Sequence, residues 1–418
     1  MTEQWEFETR AIHGDGKREK GLPDEVGSLP LYMSASFSYD SAESISDVFA
    51  GKQYGHIYSR ISNPTVNELE RRITALESGL GSVVVASGLA AISGVAYTLC
   101  EPGDEIIVSK SLFGGTQDLF SETLDKLGII AKTVSPTNLE EIRAAISDKT
   151  RFFFFETIGN PRCDVPLIQE IVDLGKSHNI PVVMDSTLTS PAAFLAKKWG
   201  VAIVVHSLTK YVCGSGIVIG GSVTDLANFN WRESRSKEVL EASKDFGPFA
   251  FLAKIRRHIL HNIGATFSPM NAFLTSVGIE TLSLRVRQHS ENALALANFL
   301  ENHPKVSAVN YLGLSSSENH ERAKTYFKEG HFGGLLTFSL ESKESAYKVI
   351  NELKLVKNMA NLGDAKTLVI HPESTIFLKR PEEDTLAAGV TPEMIRVSVG
   401  IESIKDIIAD FDQALSVL

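Results

Sequence analysis

At 418 residues the chain exceeds one ordinary hydrophobic core, so a large unit with a smaller companion is expected. A hydrophobic share of 43% beside 22% charged residues describes a globular protein, and a net charge of −10 argues against nucleic acid or anionic membrane as partner. Three cysteines (Cys100, Cys163, Cys213) without metal spacing suit a reducing compartment better than a disulfide framework, and with no membrane-length apolar run and no apolar leader the cytoplasm is the expected location.

Residues 1–63 are rich in Gly, Ser, Pro and Tyr and nearly aperiodic, which suits an irregular arm laid against another surface, a second subunit being one candidate. In YGHIYSRISNPT, Tyr58 and Arg60 place a phenol and a guanidinium two residues apart, a pair able to hold a phosphate. Taken locally, an ordinary exposed Tyr-Ser-Arg turn is the stronger reading.

From Thr65 onward Val66, Leu69, Ile73 and Leu76 mark one face of a helix, and a short strand at Val83 to Ala86 follows. Ser87-Gly88-Leu89 then opens a small-residue helix to Leu99, whose first amides form an anion cradle. The alternation continues with strands at 105–108, 129–134, 150–156 and 180–184 and helices at 116–126, 138–146 and 166–178. Repeated βαβ units with apolar strands predict a mostly parallel sheet covered by helices, with ligands at the carboxyl ends of its strands. Asn160 and Asp185 fall at such ends, and Phe113 lies just past another, where a flat ring can cover a planar ligand. Singly, Asp185 reads equally well as a cap and Phe113 as packing; their shared edge is what points to a site.

The apolar run Val201 to Val205 predicts a buried strand ending in His206-Ser207-Leu208-Thr209-Lys210, followed by Gly214, Gly216, Gly220 and Gly221. A nucleophilic amine flanked by hydroxyls and side-chain-free backbone suits an aldehyde cofactor held as a Schiff base. Beyond Gly221 the pattern loosens to Phe251, a long helical stretch runs from about Met270 to Leu300, and strands and helices mix in 305–418, which predicts a smaller α+β unit. There Arg396 interrupts an apolar strand, as a clamp for a carboxylate or as half of an internal ion pair.

Together, YSRISNPT, SGLAA, GGT, GNP, the Asp185 strand end, VVHSLTKY, GDAKTLVIHP and IRVSVGIE, in this order along nearly the whole chain, resemble the Cys/Met-metabolism family of pyridoxal-phosphate enzymes. ETIGNP is similar to the segment of its O-acetylhomoserine sulfhydrylase branch. The resemblance implies fold type I, like aspartate aminotransferase, with an arm (1–63), a large cofactor-binding domain (64–265) and a linking helix plus C-terminal α+β domain (266–418). It implies that Lys210 holds the cofactor and shuttles protons, that Asp185 faces the pyridine nitrogen, and that Ser87, Gly88, Leu89, Ser207 and Thr209 bind its phosphate. Phe113, Asn160 and Thr187 would line the ring, while Asn160, Asn361 and Arg396 would take the amino-acid substrate. Tyr58, also an acid/base candidate, and Arg60 would come from a neighbouring subunit of a homotetramer built as a dimer of dimers. No metal is implied.

The implied reaction is γ-replacement on O-acetylhomoserine, giving homocysteine and acetate, with free sulfide or a protein-borne sulfur donor as nucleophile. Departures bear on substrate and donor: Phe113 stands where tyrosine is usual, Ser186 where asparagine is, Leu188 where an aromatic is, Asn361 where serine is, and HPESTIF varies a further segment. A γ- or β-lyase and a cystathionine γ-synthase-like transferase remain open within the cofactor class. A non-enzymatic relative is disfavoured by the joint presence of Lys210, Asp185, Arg60 and Arg396. A dinucleotide enzyme lacks its G-x-G-x-x-G turn, since ASGLAAISG does not supply one.

Overall fold

In the computed structural model, which describes residues 5–17, 27–328 and 330–418, the alternating pattern builds a seven-stranded sheet. Its strands are β1 (Gly81–Val85), β2 (Glu105–Ser109), β3 (Ile130–Val134), β4 (Thr150–Glu156), β5 (Val182–Asp185), β6 (Ile203–Ser207) and β7 (Gly221–Asp225). They lie in the order β1-β7-β6-β5-β4-β2-β3. The pairs from β6 through β3 are parallel, while β7 runs antiparallel to both β1 and β6. Four consecutive phenylalanines in β4 explain why this sheet is central. Phe153 and Phe155 enter one buried cluster and Phe152 and Phe154 another, so helices must cover both faces.

A second, five-stranded sheet contains β8 (Ala308–Asn310), β9 (Leu335–Ser339), β10 (Lys357–Asn358), β11 (Leu368–Ile370) and β12 (Met394–Ser398). Its order is β10-β11-β12-β9-β8, antiparallel except for the β10–β11 pair. The helix Ile404–Leu415 packs Ile407, Phe411, Ala414 and Leu415 into the core beside this sheet.

The structure departs from the sequence expectations in three places. The stretch after Gly221 is not loose: it holds β7 and the helices Lys237–Phe246 and Ala250–Ile255. The long helical stretch is two helices, Pro269–Glu280 and Leu282–Glu301, broken at Thr281, whose hydroxyl accepts a hydrogen bond from Arg285 Nε at 3.1 Å. The arm is partly regular, with helices Phe7–His13 and Ala42–Phe49, and Arg10 donates to Ala75 O and Ser78 Oγ at 2.6 and 2.8 Å. What was expected of residues 1–4 and 18–26 of that arm lies outside the described residues. Among the described residues no helix is long and apolar enough to cross a membrane.

Candidate active site

The carboxyl ends of the parallel strands face the second sheet across a cavity of about 340 Å³, to which both sheets contribute walls. Strand-to-helix turns bring Ser87, Gly88, Leu89 and Phe113 to it, the ends of β5 and β6 bring Asp185, Thr187, Ser207, Thr209 and Lys210, and Asn160 follows β4. Asn361 and Arg396 reach it from the other side. Every predicted site residue except Tyr58 and Arg60 therefore meets in one cavity.

Lys210 sits in the turn just after β6, and its amine donates to Asn361 Oδ1 at 2.6 Å. Burial, with Arg396 as a second cause, lowers its pKa to about 8, so roughly a tenth of the amine is neutral and nucleophilic at pH 7, far more than in an ordinary lysine. The backbone that carries it is fixed from behind. Arg285 donates to the carbonyls of Tyr211 and Val212 at 2.7 and 3.2 Å, and the buried Tyr211 hydroxyl accepts from Gly334 N at 2.9 Å. Gly214 (φ +75°) leaves room for that arginine, since a Cβ there would lie 2.0 Å from Arg285 Nη1.

The anion cradle forms where the helix Gly88–Leu99 begins. Ser87 caps it, accepting from Ala90 N at 3.1 Å, while the amides of Gly88 and Leu89 in the first turn have no carbonyl one turn back to bond. A Cβ on Gly88 would stand 2.9 Å from Ser207 Cβ, so only glycine lets helix and strand approach closely enough for Ser207 and Thr209 to share the cradle. These donors fit a phosphate group.

Asp185 accepts from Thr187 N at 2.8 Å, and Thr187 Oγ1 in turn accepts from Ser207 N at 2.8 Å, which ties the ends of β5 and β6 together. Burial raises the Asp185 pKa, opposed by the Thr187 hydrogen bonds and by His206. Such a carboxylate is suited to a cationic partner inside the cavity, and a protonated pyridine nitrogen is one. A phosphate cradle, a buried carboxylate and a depressed lysine in one cavity match the three polar parts of pyridoxal phosphate.

Arg396 is buried on β12, donating to Asn160 Oδ1 at 3.2 Å and the Asn361 carbonyl at 3.3 Å. Among the described residues no carboxylate pairs with it, so the internal ion pair weighed from sequence is not formed. Burial lowers its pKa to about 10, yet it stays charged at neutral pH. A buried cation held only by neutral groups is poised for an incoming anion.

Tyr58 and Arg60 lie elsewhere. Tyr58 is exposed and bridged to Ser36, and the Arg60 guanidinium lies 5.5 Å from the Tyr58 ring centroid and donates to His261 O. Sequence reasoning missed Glu156, which lines the cavity from the last position of β4. It is the polar residue that closes the apolar run Phe152 to Phe155, the same signal that marked Asp185. Arg285 was missed as well, because nothing in its helix announces that it faces the Lys210 turn.

A family model described as Cys/Met metabolism PLP-dependent enzyme matches residues 8–416. The chain is 39% identical to O-acetyl-L-homoserine sulfhydrylase of Leptospira meyeri, over 99% of this chain and 98% of that one. It is 38% identical to homocysteine/cysteine synthase of Saccharomyces cerevisiae, over 98% and 97%. A crystal structure of a putative O-acetylhomoserine (thiol)-lyase from Campylobacter jejuni, with N'-pyridoxyl-lysine-5'-monophosphate, superposes with a TM-score of 0.93 at 34% identity, covering 99% of this chain and all of the other. Cystathionine γ-lyase of Lactobacillus plantarum, complexed with L-serine, gives 0.85 at 29%, covering 99% of each chain. The expected fold type I and cofactor are borne out: this chain belongs to the Cys/Met metabolism family of pyridoxal-phosphate-dependent enzymes.

Proposed function

We propose that the chain is an O-acetyl-L-homoserine sulfhydrylase, exchanging the acetate on Cγ of O-acetyl-L-homoserine for sulfur to give L-homocysteine and acetate in methionine biosynthesis. Full-length likeness to proteins of that name supports the choice of substrate. The single structural observation that carries it is the meeting of the Lys210 amine with an unpaired, buried Arg396 across one cavity, which suits an α-amino acid.

Bound pyridoxal phosphate supplies a ring that accepts the electrons released at the amino acid's Cα. Ser87, Gly88, Leu89, Ser207 and Thr209 hold its phosphate, Asp185 keeps the proton on its pyridine nitrogen, and Phe113, Thr187 and Asn160 border the ring. Arg396 and Asn361 orient the substrate carboxylate. Lys210 takes the proton from Cα and moves protons at Cβ, which allows acetate to leave Cγ and a sulfur nucleophile to take its place. Phe113 stacks but has no hydroxyl, so acid/base work falls to Lys210 and to Tyr58.

Tyr58 and Arg60 complete the site of a neighbouring subunit, in a homotetramer made of two such dimers. Their position outside this chain's cavity supports that reading, and with it goes a division of the chain into an arm (1–63), a cofactor-binding domain (64–265) and a C-terminal domain (266–418). Arg60→Ala is then expected to weaken cofactor retention roughly tenfold or more, the worth of a charged hydrogen bond, in equilibrium dialysis of the purified oligomer. Unchanged affinity would remove the shared-site reading. We place the enzyme in the cytoplasm, with its three cysteines as free thiols.

The test is product identification after adding O-acetyl-L-homoserine with and without sulfide. Homocysteine formed only with sulfide supports the proposal. Oxo acid and ammonia formed without sulfide would make the chain a lyase. If neither homocysteine forms with sulfide nor a thioether with small thiols, the search moves to a protein-borne donor.

A further inference from the structure

Phe113 is the aromatic wall of the cavity, yet it is 41% exposed and carries no polar group with which to anchor its own ring. Its position is set through the backbone. Glu156 Oε1 accepts from Phe113 N at 2.7 Å, Asp164 Oδ2 accepts from Ser111 Oγ at 2.6 Å, and Arg380 donates to Gly114 O at 2.6 Å. Three side chains from three segments thus pin three residues of the stretch 111–114. Glu156 is the one among them that also lines the cavity.

Glu156 stands directly opposite Asp185 across the β4–β5 pair; Glu156 is buried, Asp185 is half-buried, and both border the cavity. Two buried carboxyls side by side do not both ionise readily. Asp185 is the better stabilised anion, because it accepts the Thr187 amide and feels the imidazole of His206. Glu156 faces Asp185 and Asp164 and has only the Phe113 amide in its favour. Burial first, and Asp185 second, push its pKa well above the usual carboxylate range.

We propose that Glu156 is a positioning residue: as the uncharged acid it holds the Phe113 amide, fixing the ring over the cofactor, and leaves Asp185 the single anion beneath it. The inference rests on the pyridoxal-phosphate reading of this cavity. It assigns Glu156 no contact with the reacting atoms. Its demand is specific, because a neutral acceptor at this position must suffice, whereas a role as a second negative charge would require ionisation.

The experiment is a titration of cofactor-free protein with pyridoxal phosphate for the parent, Glu156→Gln and Glu156→Ala, with thermal unfolding as a check on folding. The amide of Gln keeps the acceptor and the neutral charge, so its dissociation constant is expected within about threefold of the parent, while Ala, lacking the acceptor, is expected to be at least about tenfold weaker. A Gln variant as weak as Ala, or an Ala variant as tight as the parent, would overturn the proposal. If Ala does not fold, Gln decides alone: retention within threefold supports the proposal and a tenfold loss overturns it. A parent that does not bind pyridoxal phosphate would instead sink the cofactor reading beneath it.

Discussion

Lys210→Ala is expected to lower turnover by about 10³-fold or more and to remove the visible absorbance that the parent gains with pyridoxal phosphate, because one amine serves as nucleophile and proton carrier. The oligomer and its melting temperature should stay near the parent's, since the turn is held by Arg285 and Tyr211 rather than by the lysine head. The lowered amine pKa of about 8 adds a pH test on the cofactor-free parent. Only the deprotonated amine attacks an aldehyde, so the rate of cofactor uptake should rise with pH and level off about one unit above that value. A rate still climbing above about pH 10, as an ordinary lysine gives, would remove burial as the activating cause. Full turnover in Lys210→Ala would sink the assignment of this cavity.

Arg396→Leu is expected to raise the KM for the amino acid by roughly 10²-fold, because a desolvated guanidinium–carboxylate pair contributes several kcal/mol that a leucine cannot replace. Cofactor affinity should change little, because Arg396 lies across the cavity from the phosphate cradle. Thermal stability without substrate should hold or increase. Arg396 is buried with only two long hydrogen bonds and no carboxylate, and an apolar side chain avoids that desolvation cost. Steady-state kinetics and a melting curve check both halves. An unchanged KM would move the substrate carboxylate to another donor.

The cavity was legible in the sequence to the extent that its residues sit at strand ends. Asp185, Lys210 and Ser87 each follow a short apolar run closed by a polar residue, and in a parallel sheet every such end comes to one edge. Glu156 obeys the same rule and was overlooked because four phenylalanines before it read as core alone. Arg396 comes from the second sheet and Asn361 from the connection between its strands β10 and β11, and no periodicity fixes how that sheet faces the first. Arg396 was marked by its charge in an apolar strand, whereas Asn361 came from the motif resemblance alone.

The βα alternation, the buried apolar runs of β4 to β6 and the small-residue opening of the helix at Gly88 follow from local side-chain pattern and backbone freedom, and so could be read before any folding. Tertiary structure alone decided the rest. Gly221–Asp225 is a strand only because β1 and β6 supply hydrogen bonds on both of its edges, and its glycine and polar residues carry no strand signal of their own. The lone charge of Arg396, the pairing of Glu156 with Asp185 and the distance of Arg60 from its own cavity are relations between segments far apart in the chain. Burial and electrostatics act across space, so these properties appear only once the two sheets have closed on each other.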